Sequence, residues 1–453
     1  QKRRATLTKT MTWDGGHGLI GTEYLAMLES LCFTCCLTSF RLSSSSACEE
    51  ESLVRFEDDG RAALFRPLEL PCGVILKNRI AKSAMSDSLG DGRGNPTETQ
   101  LRLYERWAFG GAAVSIIGEV QGSPNFAEKP GNLVLGPGSD LSLFKVLARK
   151  GSANDTSLWP QLGHAGAMAH PPISHPKGPS RFDVPGLTCA ALTLDEIRAL
   201  PGEFARTASL AKTLGFKGVQ LHAAHGFLLS QFLSPLFNRR DDDYGGELSS
   251  RSRIVLEVIE EVRGAVGASF PVAIKLNATD QLEGGLSEDE ALAVVAALDR
   301  SGVDLIDISG GTYFPGAKSA SDRAGDGPYF IEFAHRARQL TKTPLMVTGG
   351  FKTLRQASEA VSRGATDLVG LARALALNPE LPNAWRDGLM ANPPFPRFTL
   401  PPEGGITAWF TMRLTLLGER RETVDTHDLV DAIEAYETRD ADRVRVWNDH
   451  FRS

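Results

Sequence analysis

Short runs of aliphatic and β-branched residues alternate with longer amphipathic segments from residue 60 onward. This alternation is typical of a parallel sheet whose strands are connected by helices. The predicted strands are residues 79–85, 113–119, 157–163, 218–222, 272–277, 305–309, 345–348 and 368–371. The predicted helices are residues 97–109, 140–150, 194–214, 250–266, 287–301, 329–341, 354–363 and 374–378. Asp140, Thr193 and Ser287 stand where helix N-caps are expected.

Eight strand–helix units within about 300 residues match the (β/α)8 or TIM barrel, for which about 250 residues is typical. A doubly wound open sheet is the alternative, and it would carry a glycine-rich dinucleotide fingerprint after its first strand. Ser83-Ala84-Met85-Ser86 stands at that place instead. We therefore predict an α/β fold of the (β/α)8 TIM-barrel type over residues 61–400.

Two segments lie outside the predicted barrel. Residues 1–60 include a serine run and four of the six cysteines, and we predict a poorly ordered N-terminal extension. Residues 401–453 contain an apolar periodic stretch followed by an acidic helical tail. We expect these C-terminal helices to pack on the barrel or on a second copy of the chain in a homo-oligomer, and the pattern leaves both open.

The composition argues against several classes of protein. Of the 453 residues, 42% are hydrophobic and 23% are charged, which is ordinary for a soluble globular protein. The net charge of -6 and the lack of a long basic tract argue against nucleic-acid binding. Glu23 and Glu29 interrupt the apolar residues 18–40, so we expect no membrane span. The six cysteines lack the spacing of a zinc site and predict a cytoplasmic protein with no bound metal.

The stretch from Val219 to Phe227 carries two histidines three residues apart, His222 and His225. In a continuing strand the two imidazoles would point to opposite faces. They converge if the strand ends near His222 and the chain turns helical, because residues i and i+3 share one side of a helical turn. Two convergent donors at a strand end suit a carbonyl or phenolate oxygen. A pair of buried histidines bonded to the backbone fits the pattern equally well.

Polar residues at two further strands mark the same end of the barrel, where the active sites of this fold lie. Gln161 near the end of the third strand suits the edge of a planar heterocycle, although a core amide explains it as well. In the strand 272–277 three aliphatic residues share one face, so Lys275 faces the lumen. A buried lysine needs an anionic partner. The sequence therefore suggests an anionic partner for Lys275 in the lumen. A salt bridge to Asp307 is one alternative interpretation, and Schiff-base chemistry is another.

Glycines follow the seventh predicted strand, and an arginine follows the eighth. Gly349 and Gly350, together with Ala372 and Arg373, stand where many barrels bind phosphate through backbone N–H groups. Glycine lets the backbone approach an anion closely, and arginine binds an anion through two hydrogen bonds. Ordinary turn chemistry would explain the glycines alone, and a surface ion pair would explain Arg373 alone. The presence of both stretches at this position of the barrel favours phosphate binding.

Taken together, these segments resemble the old yellow enzyme family of FMN-dependent NAD(P)H oxidoreductases. The resemblance spans about residues 64–390 and is most specific from His222 to Gly246. The matching runs are residues 76–80, 83–86, 161–166, 222–229, 231–235, 238–246 and 348–350, with Arg251 and Arg373.

The resemblance implies that the bound phosphate is that of FMN, held by Gly350, Ala372 and Arg373. It places Gln161 at the pyrimidine edge of the flavin. It also places Lys275 near N1 and O2 of the ring, where many relatives have an arginine.

The resemblance also implies roles around the ring and the substrate. His222 and His225 would bind the carbonyl oxygen of an electron-poor alkene while hydride reaches its β-carbon. NAD(P)H is the implied co-substrate. The residues expected to line the flavin ring are Ser83, Ala84, Met85 and Ser86.

Three residues of the expected site depart from the family pattern. Ser86 stands where relatives often have a Cys or Thr that tunes the flavin. Ser88 replaces a Tyr of the substrate pocket, and Phe227 replaces a Tyr that donates the proton to the α-carbon. Because a Phe cannot donate, that proton has to come from another residue or from water, or alkene reduction is slow.

We therefore expect an FMN-dependent oxidoreductase that takes hydride from NAD(P)H. The expected acceptor is the activated C=C bond of an α,β-unsaturated carbonyl compound, a quinone or oxygen. Two alternatives stay open: a phosphate-binding barrel lyase that uses Lys275, and a flavin-binding protein with little ene-reductase turnover. The expected partners are small molecules, with neither nucleic acid nor membrane among them.

Overall fold

The computed structural model describes residues 60–314, 317, 327–389, 392–422 and 428–452. Apart from residue 60, the predicted N-terminal extension lies outside the described residues. The strands β1 to β14 are Leu68–Glu69, Ile75–Leu76, Ile80–Lys82, Val114–Gln121, Leu133–Val134, Ser157–Gly163, Lys177–Gly178, Phe182–Val184, Leu187–Ala191, Val219–Ala223, Val272–Asn277, Leu305–Ser309, Leu345–Thr348 and Leu368–Leu371. From residue 98 onward the helices α1 to α13 are Glu98–Phe109, Leu141–Gly151, Leu194–Thr213, Leu228–Leu233, Leu248–Arg251, Arg253–Val266, Glu288–Leu298, Ile331–Arg338, Leu354–Ser362, Arg373–Leu377, Leu381–Arg386, Gly405–Glu419 and Leu429–Phe451.

Eight parallel strands form a closed barrel in the order β3, β4, β6, β10, β11, β12, β13 and β14, and β14 pairs with β3. The predicted (β/α)8 TIM barrel is confirmed, and each predicted barrel strand overlaps an observed one. The strands are buried on both faces because helices cover the outside and side chains fill the lumen. This double burial is why they read as nearly continuous apolar runs in the sequence.

Side-chain caps begin the helices where the sequence predicted them. Asp140, Thr193 and Ser287 each accept a hydrogen bond from the backbone of the first helical turn. Thr193 and Ser287 also form capping boxes with the glutamates three residues later. The single helix predicted over 250–266 is instead two, α5 and α6, which meet at Ser252.

A short antiparallel hairpin closes the amino-terminal end of the barrel. It consists of β1 and β2, with Leu68 paired to Leu76. Both leucines belong to one apolar cluster with lumen residues such as Trp159 and Met346. The lower lumen is therefore filled by hydrophobic side chains, and the polar residues lie at the opposite end.

The two C-terminal helices pack on the barrel of the same chain. α12 lies against α1, where Arg102 Nε donates to the carbonyl oxygen of Gly418 at 2.8 Å. α13 lies against α12 and also covers loops at the carboxyl ends of the strands. There Trp447 is fully buried in a cluster with Ala127, Val134 and Ile173.

Candidate active site

His222 and His225 converge at the carboxyl end of β10. His222 lies within the strand and is 2% exposed. The turn that follows is not helical, because His225 and Gly226 have φ angles of +61° and +78°. This left-handed pair redirects the chain before α4 begins at Leu228. The expected helical turn is therefore wrong, but the two rings do meet, with their centroids 5.2 Å apart.

Residues at the ends of the next two strands hold His225 in place. Its backbone N–H donates to Asn277 Oδ1 at 3.0 Å, and its Nε2 lies 2.9 Å from Ser309 Oγ. Burial and the positive charge of Lys275 lower the pKa of His225 to about 3. Burial, His225 and Lys275 together hold the pKa of His222 well below its ordinary value. Both rings are neutral at physiological pH, so each has one N–H to donate.

Glu119 is a buried carboxyl group beside His222. Its Oε1 lies 3.5 Å from His222 Nε2, and its Oε2 accepts a hydrogen bond from Gln121 Nε2 at 3.1 Å. The residue is 5% exposed. Burial and the nearby carboxyl of Glu128 raise the pKa of Glu119 well above its ordinary value. Glu119 is therefore an acid that keeps its proton above the pH at which an exposed carboxyl loses it.

A row of polar side chains crosses the lumen next to the histidines. Lys275 Nζ lies 2.5 Å from Asp307 Oδ2, and neither side chain is more than 1% exposed. Gln220 Nε2 donates to the same carboxylate oxygen at 2.9 Å, and Gln161 Nε2 donates to Gln220 Oε1 at 2.7 Å. On the other side Thr348 Oγ1 donates to Asp307 Oδ1 at 2.7 Å. The salt bridge that the sequence left as one interpretation of Lys275 is present.

The contact with Asp307 satisfies Lys275 only in part. The two atoms are close, but their orientation is not that of a hydrogen bond, and Nζ has no hydrogen-bond acceptor among the described residues. A buried ammonium group is stable when its N–H groups find acceptors. The geometry therefore leaves Lys275 able to donate to a further electronegative atom in the upper lumen.

The two predicted phosphate-binding stretches follow neighbouring strands. Thr348 of β13 pairs with Gly370 of β14, so both strands end side by side. Gly349 and Gly350 come next, with φ angles of +114° and +86° that favour glycine. A Cβ on Gly350 would overlap the carbonyl oxygen of Gly327. The backbone here is packed too closely for any other side chain.

The second stretch leads from β14 directly into the short helix α10. Ala372 precedes this helix and Arg373 begins it, and both residues are half-buried. The Arg373 guanidinium lies 4.9 Å from the ring centroid of Phe410 in α12. A C-terminal helix thus helps to position the arginine that the sequence assigned to phosphate.

The residues predicted to line the flavin ring follow β3. Ser83 is fully buried, and its hydroxyl lies 2.9 Å from Thr348 Oγ1, at the edge of the polar row. Ala84, Met85 and Ser86 are half-buried at the mouth of the barrel. Their position after the carboxyl end of β3, next to Gly118 of β4, is compatible with the predicted contacts, which stay predictions.

The two predicted substrate residues differ in their surroundings. Phe227 is 2% exposed, and its ring centroid lies 4.8 Å from that of His222, so it borders the histidine pair. Ser88 is also 2% exposed, but its hydroxyl donates to Asp440 Oδ1 of α13 at 3.4 Å. Its backbone carbonyl accepts a hydrogen bond from Arg443 of the same helix. Ser88 is therefore held against the C-terminal helix.

Sequence reasoning missed Glu119, Asn277 and Ser309 as site residues. All three lie at or near the carboxyl end of a predicted strand, which is the rule that selected Gln161. Asn277 and Ser309 were the last residues of their predicted strands, so the signal was available. Glu119 was the last residue of the predicted strand 113–119, but strict alternation gave no reason to turn it inward.

Among the described residues, no group of three or more His, Cys, Asp or Glu side chains is arranged to hold a metal ion. None of the helices in this part of the chain is both long and apolar enough to cross a bilayer.

The chain is similar to a family of known proteins. Residues 63–392 match the model of the NADH:flavin oxidoreductase / NADH oxidase family. An NADH-dependent flavin oxidoreductase of Talaromyces variabilis is 37% identical over 357 residues, covering 70% of this chain and 85% of that protein. One of Neonectria sp. is 34% identical over 353 residues, covering 70% of this chain but only 46% of that longer protein. Among solved structures, morphinone reductase matches with a TM-score of 0.63 and 26% identity, over 74% of this chain and 91% of that one.

Proposed function

Because the chain belongs to the NADH:flavin oxidoreductase / NADH oxidase family, we propose that it passes hydride from NAD(P)H to an electron-poor acceptor through bound FMN. The proposed acceptor is the activated C=C bond of an α,β-unsaturated carbonyl compound, with quinones and oxygen as further acceptors. Membership confirms the resemblance to old yellow enzyme that the motifs indicated. The family works with flavin and NAD(P)H.

The observation that carries the proposal is the placement of the histidine pair beside a partly satisfied lysine. His222 of β10 is paired in register with Lys275 of β11. Apart from its salt bridge to Asp307, the lysine has no hydrogen-bond partner among the described residues. Its N–H groups would suit the flavin N1 and O2 region, where reduced flavin gathers negative charge. The Nε2 group of Gln161 already donates to Gln220 Oε1. Oε1 of Gln161 is therefore the atom that would accept a hydrogen bond from an N–H group of the flavin ring.

The phosphate end also fits FMN. Gly349 and Gly350 have left-handed backbones in a place that admits no Cβ on Gly350, so their backbone is able to approach an anion closely. Arg373 follows the neighbouring strand end and would supply the charge-assisted hydrogen bonds. Gly349, Gly350, Ala372 and Arg373 are the residues that would hold the phosphate.

The protein's part in the reaction is to bind and orient the acceptor. FMN supplies the hydride chemistry when it is bound. The neutral imidazoles of His222 and His225 would donate to the acceptor's carbonyl oxygen and stabilise the negative charge that grows there. The contact of His225 with Ser309 and the backbone bond to Asn277 fix its ring before the acceptor arrives. Such fixed donors need little rearrangement during the reaction.

One observation favours a second candidate, a flavin-binding protein with little turnover of alkenes. Phe227 borders the histidine pair at the position where the resemblance leads us to expect a proton-donating tyrosine. The lyase alternative has less support, because Lys275 lies against Asp307 and the chain belongs to a flavin-dependent family.

An anaerobic titration of the purified protein tests the proposal. We expect yellow protein that bleaches with NADH or NADPH and regains its colour with an enone. His222→Ala/His225→Ala should still bleach but lose the charge-transfer band with p-substituted phenols, whereas His335→Ala, on the exposed side of α8, should behave as the wild type. Colourless protein that FMN does not reconstitute contradicts the proposal, and bleaching without recolouring by any enone or quinone supports the low-turnover candidate.

A further inference from the structure

We propose that Glu119 is the acid of this site and gives its proton to the substrate oxygen that His222 binds. This inference rests on the proposed function, and it names the group that takes over from the missing tyrosine at position 227. The acid is supplied by a different strand, β4, and it acts on the oxygen and not on the α-carbon.

A β-bulge turns Glu119 into the lumen. In β4, Ile116 and Ile117 pair with Trp159 and Pro160 of β6, but the next pairs are Val120 with Leu162 and Gln121 with Gly163. Three steps along β4 thus match two steps along β6, so β4 contains one extra residue. An extra residue exchanges the faces of all later side chains. Glu119 and Gln121 therefore face inward, where strict alternation would have pointed them outward.

The two carboxyl oxygens of Glu119 have different partners. Oε2 accepts from Gln121 Nε2, so the proton of the neutral acid belongs on Oε1. Oε1 lies 3.5 Å from His222 Nε2, so both atoms are able to contact one substrate oxygen. Space for the carboxyl is provided by Gly163, where a Cβ would stand 2.9 Å from Oε2.

The charges around Glu119 favour its neutral form. His222 on β10 is itself neutral, and Gln121 on the same strand donates one neutral hydrogen bond. Glu128, in the loop after β4, is a second carboxyl whose repulsion opposes ionisation of Glu119. Burial raises the pKa of Tyr313, after β12, and negative charge on Glu128 or Glu119 would raise it further. No described cation contributes to the shift of the Glu119 pKa, which burial and Glu128 raise.

The step balances without any further reactant. The hydride that bound FMN would supply, as in the proposed function, forms the new C–H bond at the β-carbon. The alkene electrons then form the C=C bond of an enol, and the carbonyl π electrons take the proton from Glu119 Oε1. The products are a neutral enol and the Glu119 carboxylate, which regains a proton from solvent. Water protonates the α-carbon after the enol has left the His222 site, so that carbon is not protonated on one chosen face.

Half-reactions of the FMN-loaded enzyme separate this role from a structural one. In Glu119→Gln we expect reoxidation by cyclohexenone to slow by about 10²- to 10⁴-fold, the usual contribution of a general acid. Bleaching by NADH and reoxidation by ferricyanide, which need no proton at the substrate, should stay within about twofold of wild type. Glu203→Gln removes a half-buried carboxyl on α3 and should leave all three rates unchanged. An enone rate in Glu119→Gln equal to that of wild type overturns the proposal.

Infrared spectroscopy tests the acid without turnover. The wild-type protein at pH 7 should show a protonated-carboxyl band that Glu119→Gln removes and Glu203→Gln retains. If no band is lost in Glu119→Gln, the group is ionised and the proposal is wrong. Should Glu119→Gln fail to fold, Glu119→Asp replaces it, with a shifted band and an intermediate enone rate as the expected result.

The product of an α-substituted enone gives a third readout. Wild-type reduction of 2-methylcyclohex-2-enone, sampled early, should yield racemic 2-methylcyclohexanone, and a single enantiomer contradicts release of an enol. Failure of the proposed function appears in the wild type, as bleached protein that no enone reoxidises. Failure of the Glu119 assignment appears only when the variants are compared with an active wild type.

Discussion

At the scale of single residues, Gly350 carries the tightest constraint in the predicted phosphate site. Its φ angle is +86°, and a Cβ there would overlap the carbonyl oxygen of Gly327. Gly350→Ala should therefore displace the backbone that approaches the FMN phosphate and weaken FMN binding by at least tenfold, measured by the quenching of flavin fluorescence. The left-handed conformation by itself costs an alanine only about 1 kcal/mol.

Gly364 provides the matched control for this substitution. It has a φ angle of +71° after α9, and nothing lies within 4 Å of where its Cβ would stand. In Gly364→Ala the free energy of unfolding, measured in urea, should fall by the cost of the left-handed conformation alone, about 1 kcal/mol. The FMN affinity should equal that of the wild type. Equal affinities in the two variants would show that Gly350 does not approach the phosphate.

At the scale of elements, α13 joins the loops that follow three strands. Arg443 donates to Ser88 O after β3, Trp447 packs on Ala127 after β4, and Asn448 Nδ2 donates to Pro172 O after β6 at 3.0 Å. Trp447→Ala removes the fully buried anchor and should lower the free energy of unfolding by about 3–5 kcal/mol. Urea denaturation measures this loss.

The loops should respond to the loss of Trp447 more than the barrel does. We expect faster amide hydrogen exchange at residues 122–135 and 165–175, with the barrel strands unchanged. Val430→Ala, at a 65% exposed position of the same helix, should stay within about 0.5 kcal/mol of wild type and exchange normally. Uniform acceleration across the protein would mean that α13 supports the whole fold and not these loops in particular.

The elements also show how far the sequence predicts the structure. The eight barrel strands were predictable because burial on both faces leaves long apolar runs, and alternation within β11 correctly turned Lys275 inward. The strands β7, β8 and β9 were not predicted, because pairings of two to five residues carry no clear period. The docking of α12 and α13 on their own barrel was left open, since an apolar helix face does not name its partner.

The active-site geometry depends on two local departures from regular structure. The histidines meet through the left-handed residues His225 and Gly226, and Glu119 faces inward because of the bulge in β4. Convergence of the two histidines was expected to need a helical turn, because residues i and i+3 share one side of such a turn. Periodicity assumes a regular strand, so it gave no inward direction for Glu119. Motifs at the strand ends identified His222, His225 and Lys275, but the irregular backbone decides which residues of the site meet.

At the scale of the whole molecule, buried neutral histidines make stability depend on pH. His164 is 8% exposed, and burial lowers its pKa to about 3, while an unfolded histidine titrates near 6.5. Between these values the unfolded chain binds a proton that the folded protein does not. The stabilisation from keeping His164 neutral is therefore complete above pH 6.5 and is lost as the pH falls towards 3, by at most about 1.4 kcal/mol per pH unit.

Buried carboxyls act in the opposite direction, so the wild-type curve alone does not isolate this effect. Burial raises the pKa of Asp87 and Glu119. Their contribution to the free energy of unfolding therefore falls as the pH rises above the ordinary carboxyl range. A comparison with His164→Asn cancels them, because both proteins carry the same carboxyls. From pH 7.5 to pH 5.5 the free energy of unfolding of wild type relative to the variant should fall by about 1 kcal/mol. A difference that is constant with pH would mean that His164 is protonated in the folded protein as readily as in the unfolded chain.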